Sequence, residues 1–118
     1  MKILTIGDVV GEAGLDALHA LLRRIKRDTG ADFVIVNGEN AAGNGVLPRQ
    51  AEDIFDAGAD VVTLGNHAFG KQQIVPYLDE RSDILRPANL APQSPGQGWG
   101  IFDGPQGSRL LVIDLIGR

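Results

Sequence analysis

Three short apolar runs, each ending in glycine and polar residues and each followed by a helical pattern, confine this chain to an alternating α/β architecture. Lys2-Ile3-Leu4-Thr5-Ile6 leads into Gly7-Asp8, and Asp32-Phe33-Val34-Ile35-Val36 leads into Asn37-Gly38-Glu39-Asn40. Asp60-Val61-Val62-Thr63-Leu64 leads into Gly65-Asn66-His67. The second run is uniformly apolar rather than alternating, as expected of a parallel strand covered on both faces. If the three strands are parallel neighbours, Asp8, Glu39, Asn40, Asn66 and His67 reach one edge of one sheet, where open α/β folds build their sites.

Between the first two runs, Leu15, Leu18, Leu21, Leu22 and Ile25 recur at three- and four-residue spacing, which predicts an amphipathic helix closed by Gly30. Strand, helix, strand then implies a right-handed crossover. Beyond the Gly- and Asn-rich loop from Asn40 to Pro48, Ala51, Ile54, Phe55 and Gly58 mark the face of a second helix. A third is expected from Lys71 to Leu78, with Ile74, Val75 and Leu78 inward and Pro76 making it kinked or partly 3₁₀. Ile84-Leu85 reads as a short fourth strand, ended by Arg86-Pro87. Ala88 to Gly100 turns to Pro, Gly, Gln and Ser, a surface excursion that contains Trp99. Gly100–Asp103 and Arg109–Ile116, separated by Gly104-Pro105-Gln106-Gly107, predict a β-hairpin. The expected fold is one α/β domain over 1–118, a mostly parallel sheet with flanking helices and a C-terminal hairpin. Its last strand has no covering helix, so it reads as half of a larger layered fold.

Composition excludes several functions. With 43% hydrophobic and 22% charged residues in 118, the chain has the balance of a soluble globular domain and no stretch for a membrane span. A net charge of −4 offers no broad basic surface for nucleic acid. The basic run Arg23-Arg24-Ile25-Lys26-Arg27 ends a predicted helix, where cations suit the dipole, and reads as a solvated face before a phosphate patch. Cysteine is absent, which removes disulfides, thiolate nucleophiles and Cys-type zinc sites. No charged leader or cleavage pattern precedes the first strand, so the expected location is cytoplasmic.

A divalent cation is the ligand these polar residues suit best. Asp8 and Glu39 supply charge, Asn40 and Asn66 amide oxygens, and His67 a nitrogen, a donor set for Mn²⁺, Mg²⁺ or Fe²⁺. Glu39, on the middle loop, is placed to bridge two ions. Each residue also has a plainer reading: Asp8 as a helix cap, Asn37, Asn40 and Asn66 as turn residues, Glu39 as a surface carboxylate. His19, on the first helix between Leu15 and Leu22, reads as a boundary residue. A rival motif is Gly65-Asn66-His67-Ala68-Phe69-Gly70-Lys71, which has the glycines and lysine of a phosphate-binding P-loop but Gln72 where a Mg²⁺-binding hydroxyl is needed. Gly43-Asn44-Gly45 begins like a dinucleotide fingerprint and lacks its third glycine.

Gly7-Asp8-Val9-Val10-Gly11, Asn37-Gly38-Glu39-Asn40-Ala41-Ala42, Leu64-Gly65-Asn66-His67 and Arg86-Pro87-Ala88-Asn89, in this order, closely resemble the YmdB-like family of bacterial calcineurin-type metallophosphoesterases. The resemblance implies the N-terminal half of a layered α/β sandwich with a dinuclear site. It also implies phosphodiester hydrolysis, cyclic nucleotides among the substrates, by metal-activated hydroxide. By position, Asp8 resembles a ligand of one metal, Glu39 the bridge and Asn40 the replacement for a histidine common in calcineurin-type enzymes. Asn66 resembles a ligand of the second metal, and His67 the histidine that protonates the leaving oxygen. That role replaces the ligand role the residue type suggested. Where the family often has Thr-Trp-Asp after Gly-Asn-His, this chain has Ala68-Phe69-Gly70. The family's remaining ligands are histidines of a second half, whereas here the histidines are His19 and His67. The implied partners are a phosphodiester and either the missing half or a second copy covering the open face. The alternative is a non-catalytic module that binds a cation or phosphate.

Overall fold

The computed structural model describes residues 1–117; Arg118 lies outside the described residues. In chain order come β1 (Ile3–Ile6), α1 (Gly11–Thr29), β2 (Phe33–Asn37), α2 (Pro48–Ala57), β3 (Val61–Thr63), α3 (Ile74–Glu80) and β4 (Ile84–Leu85). The hairpin β5 (Trp99–Asp103) and β6 (Arg109–Ile113) follows, joined through a 3₁₀ turn at Pro105–Gly107. β1 to β4 form one parallel sheet in sequence order, with Ile6 opposite Val36, Asn37 opposite Thr63 and Thr63 opposite Leu85. β5 and β6 pair antiparallel, Trp99 opposite Ile113 and Ile101 opposite Leu111.

Alternation along β2 sorts the core. Val34 and Val36 point to the side of the sheet that packs against Leu15, Leu18 and Leu22 of α1, Ala51 and Ile54 of α2, and Ile74 and Leu78 of α3. Phe33 points the other way, with Val61 and Leu85, onto Val112, Phe102 and Leu110 of the hairpin. The Phe33 and Phe102 rings stand 5.9 Å apart at 48°. The uniform apolarity of β2 therefore does reflect two covered faces, but helices cover one and the hairpin covers the other. The hairpin's own outer face carries Trp99, Ile101, Leu111 and Ile113, all exposed.

Two boundaries differ by three residues from those read in the sequence. α3 begins at Ile74 rather than Lys71, which puts Pro76 in the first turn, where its missing N–H costs no helical bond and no kink is needed. The three residues before it form tight turns, with Ile74 N–H donating to Lys71 and Val75 N–H to Gln72. β6 ends at Ile113 rather than Ile116, because the Asp114 carbonyl leaves the hairpin to accept from Ala88 N–H at 2.7 Å. Elsewhere Gly30 closes α1 in the left-handed conformation, φ 69, as expected of a helix C-terminus. Arg81 lies 4.0 Å over the Phe55 ring and pairs with Asp83 at 2.8 Å, fastening α2 to the stretch between α3 and β4. No helix among the described residues is long and apolar enough to cross a membrane.

The inner face of α1 gives a direct check. Leu22 is 1% exposed and its neighbour Leu21 45%. Leu22→Ala should cost about 2–5 kcal/mol in urea unfolding, and Leu21→Ala less than about 1 kcal/mol. Equal losses would contradict this packing.

Candidate functional site

The exits of the parallel strands are laced together by backbone bonds. Val9 N–H donates to the Asn37 carbonyl at 3.1 Å, Gly38 N–H to Thr63 at 3.0 Å and Leu64 N–H to Leu85 at 2.9 Å. Asp8, Glu39, Asn40, Asn66 and His67 therefore do share one sheet edge.

Asp8 adopts a left-handed backbone, φ 50, uncommon outside glycine and tolerated best by Asp and Asn. It does not cap α1, whose preceding residue is Val10 with no side-chain cap. Instead its carboxylate accepts from Asn40 Nδ2 at 2.7 Å, which leaves the Asn40 amide oxygen available to a cation. Asn37 takes the plainer role of a turn residue, its Oδ1 accepting from Glu39 N–H at 3.3 Å.

Glu39 is the centre of the arrangement. Its loop is closed by Gly45 N–H donating to the Glu39 carbonyl at 2.8 Å and by Gly43 N–H donating to Asn40 at 2.9 Å. Buried Gln50 at the start of α2 supports the loop, donating to the Ala41 carbonyl at 3.2 Å. The carboxylate then crosses to the next strand exit and lies against Gly65, where a Cβ would collide with both oxygens. Oε1 accepts from His67 N–H at 2.6 Å and stands 4.0 Å from His67 Nδ1. Glycine at 65 is thus required by the carboxylate seated on it. The His67 ring is about half exposed, and Asn66 is exposed beside it with no side-chain hydrogen bond among the described residues.

This donor set fits a hard divalent cation in kind, with carboxylates and amide oxygens at one edge. It does not close a cage: among the described residues no three His, Asp or Glu groups converge as a metal site. A hollow of about 260 Å³ between the β1 exit and α1 touches Asp8 but is otherwise walled by apolar residues such as Leu18 and Leu21. The polar chemistry lies outside it, on the open edge.

The P-loop reading fails on geometry. Ala68 and Gly70 commit their N–H groups to the Gly65 and His67 carbonyls, and α3 starts only at Ile74. Gly70 is pressed against the Asn44 carbonyl and Gly45 against His67 and Lys71, so loop 43–45 packs directly on this segment.

One residue escaped the sequence reading. Asp114 follows β6, is 9% exposed, and accepts from Leu64 N–H through Oδ2 at 2.9 Å. Burial pushes its carboxyl up to about 6, the Leu64 N–H pulls the other way, and the negative Glu39 adds to the rise. An Asp within an apolar strand pattern, Leu110 to Ile116, was the only signal available. The folded chain therefore keeps this proton up to about pH 6, while the unfolded chain releases it near 3.8. The stability so contributed is complete below about pH 4 and lost as pH rises through 6. Asp114→Asn should gain on the unaltered chain across that window, by something of order 2 kcal/mol in urea unfolding. A difference independent of pH would refute it.

Several proteins are similar to this chain in sequence or in fold. The chain is 39% identical over 119 residues to a Bacillus subtilis protein named 2',3'-cyclic-nucleotide 2'-phosphodiesterase, covering all of this chain and 45% of that protein. It is 31% identical over 122 residues to a Mycoplasma pneumoniae protein named putative phosphatase/phosphodiesterase, covering 99% and 43%. A crystal structure of a hypothetical protein from Thermus thermophilus superposes with a TM-score of 0.91 at 38% identity, covering 100% and 46%. The chain thus spans less than half the length of the relatives it matches. The family model described as YmdB-like protein matches residues 4–118, almost from end to end, and the chain belongs to that family.

Proposed function

We propose that this chain supplies the N-terminal ligands and the proton-donating histidine of a phosphodiester-hydrolysing site that works with two divalent cations. The observation that carries this is Glu39: a carboxylate drawn across from one strand exit, seated on Gly65 of the next and held by His67 N–H at 2.6 Å. Such a group, on the exit between those that carry Asp8 and Asn66, is suited to bridging. Asp8 and the Asn40 oxygen would hold one cation with it, and Asn66 the other. Bound Mn²⁺, Fe²⁺ or Mg²⁺ ions would supply an activated water and offset charge on the phosphoryl oxygens. His67 holds a proton on its exposed ring and gives it to the leaving oxygen. The name of the Bacillus subtilis relative supports a cyclic nucleotide as substrate.

A second reading, cation or phosphate binding without turnover, has one observation in its favour: the described residues do not complete a three-ligand His, Asp or Glu group. In either case the exposed outer face of the hairpin needs a cover, and a second copy is the cover available to this chain by itself.

Hydrolysis of bis(p-nitrophenyl) phosphate with added Mn²⁺, beside calorimetry of Mn²⁺ binding, separates the readings. Glu39→Ala should lower turnover by about 100-fold or more, since a direct ligand matters at least as much as its outer-shell partners. Lys71→Ala should leave it unchanged. Mn²⁺ binding that depends on Glu39 without any turnover selects the second reading, and turnover indifferent to Glu39 overturns the first. Light scattering should return a dimer; a monodisperse monomer removes self-association by the hairpin face.

A further inference from the structure

The segment Arg86–Asn89, conspicuous in the sequence, makes no hydrogen bond to the proposed ligands among the described residues, and instead holds the backbone around Asp114. Buried Arg86 donates to the carbonyls of Pro87 at 3.0 Å, Pro95 at 3.2 Å, Ser94 at 3.3 Å and Gly96 at 3.4 Å, drawing the excursion after β4 back onto the sheet. Asn89 grips Ile116 in both directions: its Nδ2 donates to the Ile116 carbonyl at 2.9 Å, and Ile116 N–H donates to its Oδ1 at 3.0 Å. Between these clamps Asp114 is fixed through its own backbone. Ala88 N–H donates to its carbonyl at 2.7 Å, and its N–H donates to Gly98 at 3.0 Å.

So held, the Asp114 carboxylate makes one hydrogen bond among the described residues, from Leu64 N–H at 2.9 Å. That N–H is shared with the Leu85 carbonyl, also at 2.9 Å. Leu64 is the last residue before Gly65-Asn66-His67. An ionisable group is costly to bury, and here an apolar side chain would have served packing alone. What the carboxylate adds is a charge-assisted bond at the base of the turn that seats Glu39 and carries His67.

We propose that Asp114 is a positioning residue of this site: delivered by the Arg86–Asn89 clamp, it fixes the Leu64 amide and with it the turn that sets Gly65, Asn66 and His67 around Glu39. The inference rests on the cation-site reading given above and adds to it a residue from the hairpin side of the fold.

The test compares the unaltered chain with Asp114→Val, which has no acceptor, and Asp114→Asn, which keeps one. Mn²⁺ affinity by calorimetry should fall about 10- to 100-fold in the valine variant, the usual effect of removing an outer-shell partner. The asparagine variant should restore it to within a few-fold of the unaltered chain. In metal-free amide NMR spectra, the Leu64 proton should move upfield, and Gly65 to His67 should shift or broaden, in the valine variant alone. A scalar coupling from the Leu64 amide nitrogen to the Asp114 carboxyl carbon should appear in the unaltered chain. A folded valine variant with unchanged Mn²⁺ affinity and an undisturbed turn overturns the proposal. So does failure of asparagine to rescue, or absence of the coupling, which decides the matter even if the valine variant does not fold. If the unaltered chain binds no Mn²⁺, the cation-site reading fails, and the amide shifts and the coupling alone decide the positioning role.

Discussion

Parallel pairing of four strands in sequence order is the constraint on which everything else depends. With Ile6, Val36 and Val62 in one register, the polar residues that follow each strand emerge at the same height. Backbone bonds from Val9 to Asn37 and from Gly38 to Thr63 carry the alignment past the strands themselves. A slip of one residue in any pair would turn its apolar side chains to the wrong face and carry the loop off the edge, so the core and the site are specified together.

Glu39 shows how that alignment becomes chemistry. Its loop returns on itself through Gly43 and Gly45, which leaves the side chain free to cross to Gly65. There it meets the His67 amide, and its negative charge adds to the rise of the buried Asp114 carboxyl. Asp8 and Glu39 thus stand at one edge, the arrangement on which the proposed cation site rests. The left-handed backbone at Asp8 is an instance of local strain held at a strand exit.

The two faces of the sheet are treated differently. Helices close one face with leucine, isoleucine and alanine, while the hairpin closes the other through Phe102, Leu110 and Val112 and presents Trp99, Ile101, Leu111 and Ile113 outward. The hairpin is thus apolar on both faces, and its outer one is exposed.

Much of this could be read from residue order, because period and punctuation are local properties. Leu15, Leu18, Leu21, Leu22 and Ile25 announced α1, of which Leu15, Leu18 and Leu22 form the buried face while Leu21 lies exposed; Gly30 announced its end, and the run Phe33–Val36 a strand covered twice. The glycines and the carboxylate or amide residues after each run announced the edge. Tertiary structure alone decided what covers the second face, since apolarity does not say whether a helix or a hairpin will supply the contact. It decided that Pro76 begins a helix instead of bending one, a matter of where the preceding turns end. It also decided that Asp8 pairs with Asn40 across 32 positions and that Asp114 reaches Leu64 across 50. Pairings at such separations are set by how strands are ordered and clamped in space, and no local pattern of residues encodes them.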